Sequence, residues 1–227
     1  LQLANSGGVE KLAAAVDFSR NTIELAIESG ASLLIVHHGM FWGGAQRIVG
    51  VHYERLRAAL EGDLAVYSSH IPLDAHPELG NNALLARELE LTAEEGFGEF
   101  RNITIGVSGR SDQPTAAIVN RARTFANRYA TDLVVTPFAD GRVTRRWGII
   151  TGAGASSATL AEARAREIDT LIVGEGAHHT GVEAAEHGMV VIYAGHYATE
   201  TLGVQALARK VGAQFKLEWS FLDVPTG

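Results

Sequence analysis

The sequence contains no cysteine. Disulfides, thiolate zinc sites and cysteine nucleophiles are therefore excluded, so any metal ion must be held by nitrogen and oxygen atoms. Basic residues are fewer than acidic ones: the chain has 19 Lys and Arg and 26 Asp and Glu, which gives a net charge of -7. Nucleic-acid binding needs a clustered positive surface, so this balance argues against a nucleic-acid partner. It favours an enzyme or a cation-binding protein.

Long apolar runs are absent as well. No run approaches the roughly 18 residues that a membrane span needs, and no charged segment precedes an apolar one at the N-terminus. The sequence therefore predicts a cytoplasmic protein without a membrane partner. Residue 1 is Leu rather than Met, so we expect an N-terminal piece of the natural chain to precede it.

Short apolar runs alternate with amphipathic segments along the chain, which predicts the α/β class with two layered lobes and mixed sheets. With 46% hydrophobic residues the chain can bury a large core, which we expect to be divided between the two lobes. Gly96 and Gly98 mark the predicted boundary between them. The predicted domains are an N-terminal α/β lobe at residues 1–98 and a C-terminal α/β lobe at residues 99–227.

Four short stretches carry the side chains that borderline divalent cations prefer. They are Val-His-His-Gly-Met-Phe-Trp at residues 36–42, Ser-His-Ile-Pro-Leu-Asp-Ala-His at 69–76, Gly-Glu-Gly-Ala-His-His at 174–179 and Gly-His-Tyr-Ala-Thr-Glu at 195–200. Each stretch follows a predicted strand, and ligands bind beyond the carboxyl ends of strands in open α/β sheets. Because imidazole and carboxylate are suitable ligands, the four stretches together predict a divalent-metal site.

The first stretch has two adjacent histidines. Neighbouring residues of a strand point to opposite faces, so His37 and His38 can face one site only if the strand has already ended. Gly39 permits such an end because it loosens the backbone at that point. Taken alone, the pair is explained equally well as ordinary loop histidines.

The last stretch places His196 and Glu200 four residues apart where a helix begins. This spacing predicts that both side chains lie on one helix face, within reach of a common ion. The alternative is that Glu200 merely suits the first turn of the helix.

Pro72 predicts a loop between His70 and Asp74. Asp74 is the better metal ligand because its charge neutralises a cation, whereas His70 is better suited to support a ligand or carry a proton. Asn81 or Asn82 is placed to cap the helix that follows.

Three of the four stretches also resemble motifs of a known family. Residues 37–42 are similar to its His-His-Pro-x-x-Trp element, residues 70–74 to His-x-x-x-Asp, and residues 195–200 to Gly-His-x-x-Thr-Glu. The chain thus resembles the NIF-three-like group, often labelled GTP cyclohydrolase 1 type 2 homologues, over nearly its whole length. Gly39 stands where many members have Pro, and the long insertion of larger members is absent.

That resemblance implies two α/β lobes packed around a metal cleft with a dinuclear centre, assembled as a toroidal homohexamer. The metal ligands carried over from the family fall on His37, His38, Asp74, His196 and Glu200. A further family element that lines the same cleft falls on Glu175 and on His178 with His179. The implied cofactors are two divalent ions per subunit, and the ligand types fit zinc, manganese, iron, cobalt or nickel.

Counting coordination positions indicates a catalytic role for such a centre. Five side chains supply about six or seven bonds, whereas two four- or five-coordinate ions need about eight or more, so water completes the centre. This arrangement predicts a metal-dependent hydrolase that attacks a cyclic amide or phosphoester through a bridging hydroxide, with His70, Glu175 or His178 moving protons. Two alternatives remain open at this point: a non-catalytic metal storage or delivery protein, and a ring-shaped scaffold that binds protein partners.

The run Thr-Gly-Ala-Gly-Ala at residues 151–155 follows a predicted strand and precedes a helix, which is the setting of a phosphate-binding loop. It lacks the third glycine of a dinucleotide fingerprint and the Gly-Lys-Ser/Thr of a nucleotide-binding loop. We therefore interpret it mainly as a tight turn. Trp42 could stack a purine ring, although a packing role explains it equally simply.

Overall fold

The computed structural model describes residues 1–226. Its helices and strands follow one another in the order β1 (Lys11–Asp17), α1 (Arg20–Glu28), β2 (Leu33–His38), α2 (Val51–Glu61), β3 (Ala65–Ser68), α3 (Ile71–Asp74), α4 (Asn81–Glu88), β4 (Glu95–Phe100), β5 (Ile103–Pro114), α5 (Thr115–Asn127), β6 (Val134–Val135), β7 (Val143–Ile150), α6 (Ser157–Ala165), β8 (Thr170–Val173), α7 (His178–Glu186), β9 (Val190–Tyr193), α8 (His196–Phe215) and β10 (Glu218–Phe221). The predicted α/β class with two layered units is confirmed.

The first compact unit contains Leu1–Leu73 together with Gly203–Val224. Its sheet has the strand order β10-β1-β2-β3, and all neighbouring strands are parallel. Leu34, Val36 and Val66 are fully buried in its core, as expected for strands covered on both faces. The parallel arrangement brings the carboxyl ends of β1, β2 and β3 to the same edge of the sheet.

The second compact unit is formed chiefly by Asp74–Leu202. Its six-stranded sheet has the order β4-β5-β7-β8-β9-β6, in which β7, β8 and β9 are parallel and the outer strands are antiparallel. Successive residues of these strands alternate between two apolar clusters, with Ile149 in one and Ile150 in the other. The clusters therefore cover opposite faces, and the carboxyl ends of the central strands meet at one edge.

The predicted boundary between residues 98 and 99 lies inside β4, a strand that the sequence did not predict. The sequence predicts a lobe boundary at Gly96 and Gly98, but these glycines lie within the second unit, where their lack of a side chain allows close packing. A Cβ atom on Gly96 would lie 2.6 Å from Thr104, and one on Gly98 would lie 2.2 Å from Ile150. The units instead divide at residues 73 and 74 and within α8, because β10 returns to pair with β1.

The loop predicted between His70 and Asp74 is a single helical turn, α3. Pro72 is compatible with this turn because it lies near the beginning, where a missing amide hydrogen breaks no helical hydrogen bond. The amide of Leu73 donates to the carbonyl of His70 at 2.8 Å and closes the turn.

The predicted helix cap at Asn81 or Asn82 is also wrong, because Gly80 occupies the cap position of α4.

No helix among residues 1–226 combines the length and apolar character that a membrane crossing requires.

Candidate metal centre

Three histidines cluster at the carboxyl edge of the first unit's sheet. The ring centroids of His37 and His38 are 4.9 Å apart, and those of His37 and His70 are 4.8 Å apart. One ring nitrogen of each histidine lies within 4.8 Å of those of the other two. His37 and His38 are buried, so the cluster is a compact set of nitrogen donors that could hold a metal ion.

The tautomers of His37 and His38 are set by their neighbours on the flanking strands. The Nδ1 of His38 lies 2.8 Å from Oδ1 of Asp17, which ends β1, and the Nδ1 of His37 lies 3.0 Å from the carbonyl oxygen of Ser69. Since both acceptors require a hydrogen on Nδ1, each ring presents Nε2 as its lone-pair nitrogen. This is the arrangement in which histidine binds a metal through Nε2.

His37 and His38 are adjacent residues at the end of β2. The prediction required the strand to end before the pair, yet β2 includes both residues. Pairing of β2 with β3 ends at Val36, while pairing with β1 continues to His38. His37 then bonds Ser69, the residue after β3, and His38 bonds Asp17, the last residue of β1, while the two ring centroids stay 4.9 Å apart.

Trp42 stacks on His38 with a centroid distance of 3.9 Å and an interplanar angle of 15°. The indole is 56% exposed, so it covers one face of the imidazole without being part of the core. This contact limits rotation of the His38 ring.

The second unit contributes a carboxylate–imidazole–carboxylate series at the edge of its sheet. His196 begins α8, and its Nε2 lies 3.1 Å from Oε2 of Glu200 one turn later. Its Nδ1 lies 2.8 Å from Oε1 of Glu175, which follows β8. The predicted shared helix face of His196 and Glu200 is therefore present, and Glu200 is buried.

These contacts alter the protonation of His196. Burial is the largest influence and lowers its pKa, but the hydrogen bonds and charges of Glu200 and Glu175 together raise the pKa of His196 to about 9. The ring is therefore a cation near neutral pH in the metal-free protein. A metal ion bound at its nitrogen would have to displace that proton.

Gly152, two residues beyond the end of β7, is needed for this series to form. A Cβ atom there would lie 2.1 Å from Oε1 of Glu200 and 3.2 Å from Nε2 of His196. The residue also has a φ of +63°, which glycine adopts most readily. The sequence indicated only a turn here, because nothing local shows that the backbone approaches a carboxylate.

The run at residues 151–155 is a turn whose backbone amides donate hydrogen bonds to other groups of the chain. The amide of Thr151 donates to Oδ1 of Asn82 at 2.8 Å, and that of Gly152 donates to Oγ1 of Thr199 at 3.0 Å. The amides of Gly154 and Ala155 donate to backbone carbonyls. These four donors are used within the chain, which supports the tight-turn interpretation over a phosphate-binding loop.

Asp74 is held by residues of its own unit. The Nδ2 of Asn81 donates to its Oδ1 at 2.9 Å, and the Nδ2 of Asn82 donates to its carbonyl oxygen at 3.2 Å. All three side chains are buried. The two asparagines therefore orient Asp74 instead of capping α4, a role that the sequence reasoning missed.

A groove with a volume of about 860 Å³ adjoins His196 in the second unit. Its wall includes Glu175, His178 and His196 together with apolar residues of β6 and α7. His178 is exposed at the start of α7, so it faces solvent as well as the groove.

The Duf34/NIF3 (NGG1p interacting factor 3) family matches residues 1–226 of the chain. The chain belongs to the Duf34/NIF3 family. This Duf34/NIF3 protein is 42% identical over 230 residues to the GTP cyclohydrolase 1 type 2 homolog of Deinococcus radiodurans, with 100% of this chain and 85% of the relative covered. The resemblance predicted from the three motifs is thereby confirmed.

Solved structures resemble this Duf34/NIF3 protein over its whole length. TTHA1606 from Thermus thermophilus has a TM-score of 0.83 at 38% identity, with 100% of this chain and 88% of that chain covered. Protein ybgI, described as of unknown function, has a TM-score of 0.88 at 32% identity, with 100% and 89% covered. The word homolog in the name of the Deinococcus relative states a relationship and not a reaction.

Each unit of this Duf34/NIF3 protein thus carries clustered residues that could bind metal ions. The first unit brings together His37, His38 and His70. The second unit brings ligand atoms of Asp74 and Glu200 within 4.8 Å of each other, and Glu200 contacts His196, which contacts Glu175. Of the three residues predicted to move protons, His70 lies in the histidine cluster, while Glu175 and His178 lie in the groove wall.

Proposed function

We propose that this protein binds two divalent metal ions per subunit through His37, His38, Asp74, His196 and Glu200 and uses them to hydrolyse a small molecule. The observation that carries the proposal is the fixed orientation of the imidazoles. Each of the three has its Nδ1 hydrogen-bonded to an oxygen acceptor, on Ser69, Asp17 and Glu175 respectively. Such support is typical of histidines that bind a metal through Nε2.

The chemistry of the donor set fits this role. Three imidazoles and two carboxylates offer only nitrogen and oxygen atoms, which suit zinc, manganese, iron, cobalt or nickel. Asp74 and Glu200 are buried, and burial of a carboxylate costs free energy unless opposite charge compensates it. Bound divalent cations would provide that compensation.

A bound ion of this kind supplies Lewis-acid polarisation of a carbonyl or phosphoryl oxygen and lowers the pKa of coordinated water. The protein's own residues would do the remaining work. Glu175 orients the ring of His196 through its 2.8 Å hydrogen bond. His178, exposed in the wall of the same groove, is placed to exchange protons with solvent. His70 is placed to transfer protons within the histidine cluster.

We also propose that the protein is a cytoplasmic homohexamer that acts on a small molecule without nucleic acid or membrane; the hexamer is what the family resemblance implies. The net charge of -7 supports the exclusion of nucleic acid. Sedimentation of the purified full chain tests the assembly, for which we expect a mass of six subunits.

Elemental analysis of protein purified without added metal tests the site. We expect two divalent ions per chain, and substitution His38→Ala or Glu200→Ala should each lower the metal content while the circular dichroism spectrum is preserved. His187→Ala is the matched control, because this histidine is exposed and lies at the end of α7. Unchanged metal content in both ligand variants would contradict the assignment.

A hydrolysis screen with the ion that is found tests the activity. The substrates should include cyclic amides, GTP and phosphodiesters, and turnover of at least one class is expected to fall in both ligand variants but not in His187→Ala. Rapid metal exchange without turnover of any substrate would show a metal carrier instead.

A further inference from the structure

The groove beside His196 has the size and wall of a small-molecule site. Its volume of about 860 Å³ lies within the roughly 300 to 1,000 Å³ typical of ligand pockets. Val134 and Val182 lie in its wall and are 61% and 50% exposed. Exposed branched side chains in the same groove wall as a candidate metal ligand are the surface that a bound apolar group would remove from water.

Apart from the ring of His196 at one end, the charged residues of the groove wall are acidic. Among the described lining residues there are three carboxylates, on Asp132, Glu175 and Glu186, and no Lys or Arg. Glu175 is hydrogen-bonded to His196, so its charge is compensated at that end of the groove. Asp132 and Glu186 are exposed, and they would repel an anionic group held in the groove.

We propose that this groove holds the apolar body of an uncharged or cationic organic substrate, whose hydrolysable bond lies at the His196 end. The inference rests on the proposed function, because it names the substrate class of that same site. A nucleoside triphosphate carries several negative charges and no extended apolar body. It is therefore a poor occupant of this groove, although GTP appears in the names of relatives.

Two fluorescent probes with the same aromatic body separate apolar from anionic binding. N-phenyl-1-naphthylamine is uncharged, whereas 8-anilino-1-naphthalenesulfonate adds one sulfonate. With the metal-loaded full chain, we expect the uncharged probe to bind with a Kd roughly tenfold lower than that of the anionic probe. Equal affinity, or tighter binding of the anionic probe, would overturn the inference.

Substitutions locate the probe. Val182→Asp should weaken binding of the uncharged probe roughly fivefold or more, because it places a charge in the apolar wall. Val51→Asp is the matched control, since Val51 is a 67% exposed valine on α2 in the other unit. The double substitution Asp132→Asn with Glu186→Gln should strengthen binding of the anionic probe and leave that of the uncharged probe unchanged. Probe binding that ignores Val182→Asp overturns the assignment to this groove.

Sedimentation of Val182→Asp excludes the competing occupant, a second copy of the chain. An unchanged mass is expected, and a smaller assembly would show that the face is a subunit contact and overturn the inference.

Probe binding requires no turnover, so the two proposals fail separately. A protein that binds the uncharged probe in the groove but hydrolyses nothing contradicts only the proposed function. One that hydrolyses a screened substrate but binds no probe contradicts only the groove assignment.

Discussion

The Nδ1 atom of His38 lies 2.8 Å from Oδ1 of Asp17, and the two residues face each other in the parallel register of β1 and β2. The carboxylate accepts the Nδ1 hydrogen, so it fixes both the tautomer and the direction of the ring. Asp17 is therefore a positioning residue for the candidate metal ligand His38.

Substitution Asp17→Asn should lower metal affinity by about 10- to 100-fold, the range known for loss of a carboxylate behind a metal-binding histidine. The amide can donate as well as accept, so it no longer enforces a hydrogen on Nδ1. Competition with a chromogenic chelator measures the affinity. Asp63→Asn is the matched control, because Asp63 bonds the exposed Ser6 and no histidine. Equal affinity in both variants would show that Asp17 has only a packing role.

Substitution Gly152→Ala should abolish the His196–Glu200 arrangement, because the added Cβ atom would overlap Oε1 of Glu200. A control for backbone strain exists in the same unit. Gly188 has a φ of +67°, close to the +63° of Gly152, but a Cβ atom there meets nothing within 4 Å. Gly188→Ala should therefore cost only about 1 kcal/mol of stability and leave metal binding intact.

Gly152→Ala, by contrast, should lower metal affinity at least tenfold in the chelator assay. A tenfold loss corresponds to about 1.4 kcal/mol of binding free energy, which displacement of the Glu200 carboxylate from the ion would exceed. Thermal unfolding of both variants measures the strain that they share. A similar metal affinity in the two variants would mean that Glu200 moves aside without consequence.

The parts of the site that the sequence predicted are those with local spacing. His196 and Glu200 are one helical turn apart, and His37 and His38 end an apolar strand, so pattern alone indicates both. Asp17 is 21 residues from His38, and only the parallel register of two strands brings them together. The position of polar residues at neighbouring strand ends is thus a usable signal, once the strands are known to be adjacent.

The division of the chain shows the same limit. Nothing local in the sequence indicates that β10 pairs with β1, because the pairing of Glu218 with Lys11 joins residues near opposite ends of the chain. Gly96 and Gly98 suggest a lobe boundary from the local sequence, but their role in the folded structure is in packing. Atoms of Thr104 and Ile150 occupy the space that their Cβ atoms would need, so the two glycines allow close packing of β4 and do not mark a lobe boundary.

The protonation of His196 gives a pH prediction for the metal-free protein. Its pKa of about 9 is above the ordinary value of 6.5, so the charged ring stabilises the fold fully below pH 6.5, and this stabilisation is lost as the pH rises through about 9. Metal binding has the opposite dependence, because the ion competes with the proton: affinity should rise with pH up to about 9.

Glu175→Gln should lower the pKa of His196, because it removes one of the two carboxylates that stabilise the imidazolium. Titration of the metal-free protein followed by NMR of the imidazole ring measures this value. Glu183→Gln is the control, since Glu183 accepts a hydrogen bond from Ser157 and none from His196. An unchanged pKa in Glu175→Gln would contradict the 2.8 Å contact.

Trp42 provides the last prediction, because its indole stacks on the ring of a candidate ligand at 3.9 Å while remaining half exposed. Aromatic stacking contributes about 0.5 to 1.5 kcal/mol, so Trp42→Ala should weaken metal binding by roughly two- to tenfold. Trp42→Phe should restore most of the affinity, since a phenyl ring can stack on the same face. Loss of affinity in both variants, or in neither, would show that the stack does not hold His38 in place.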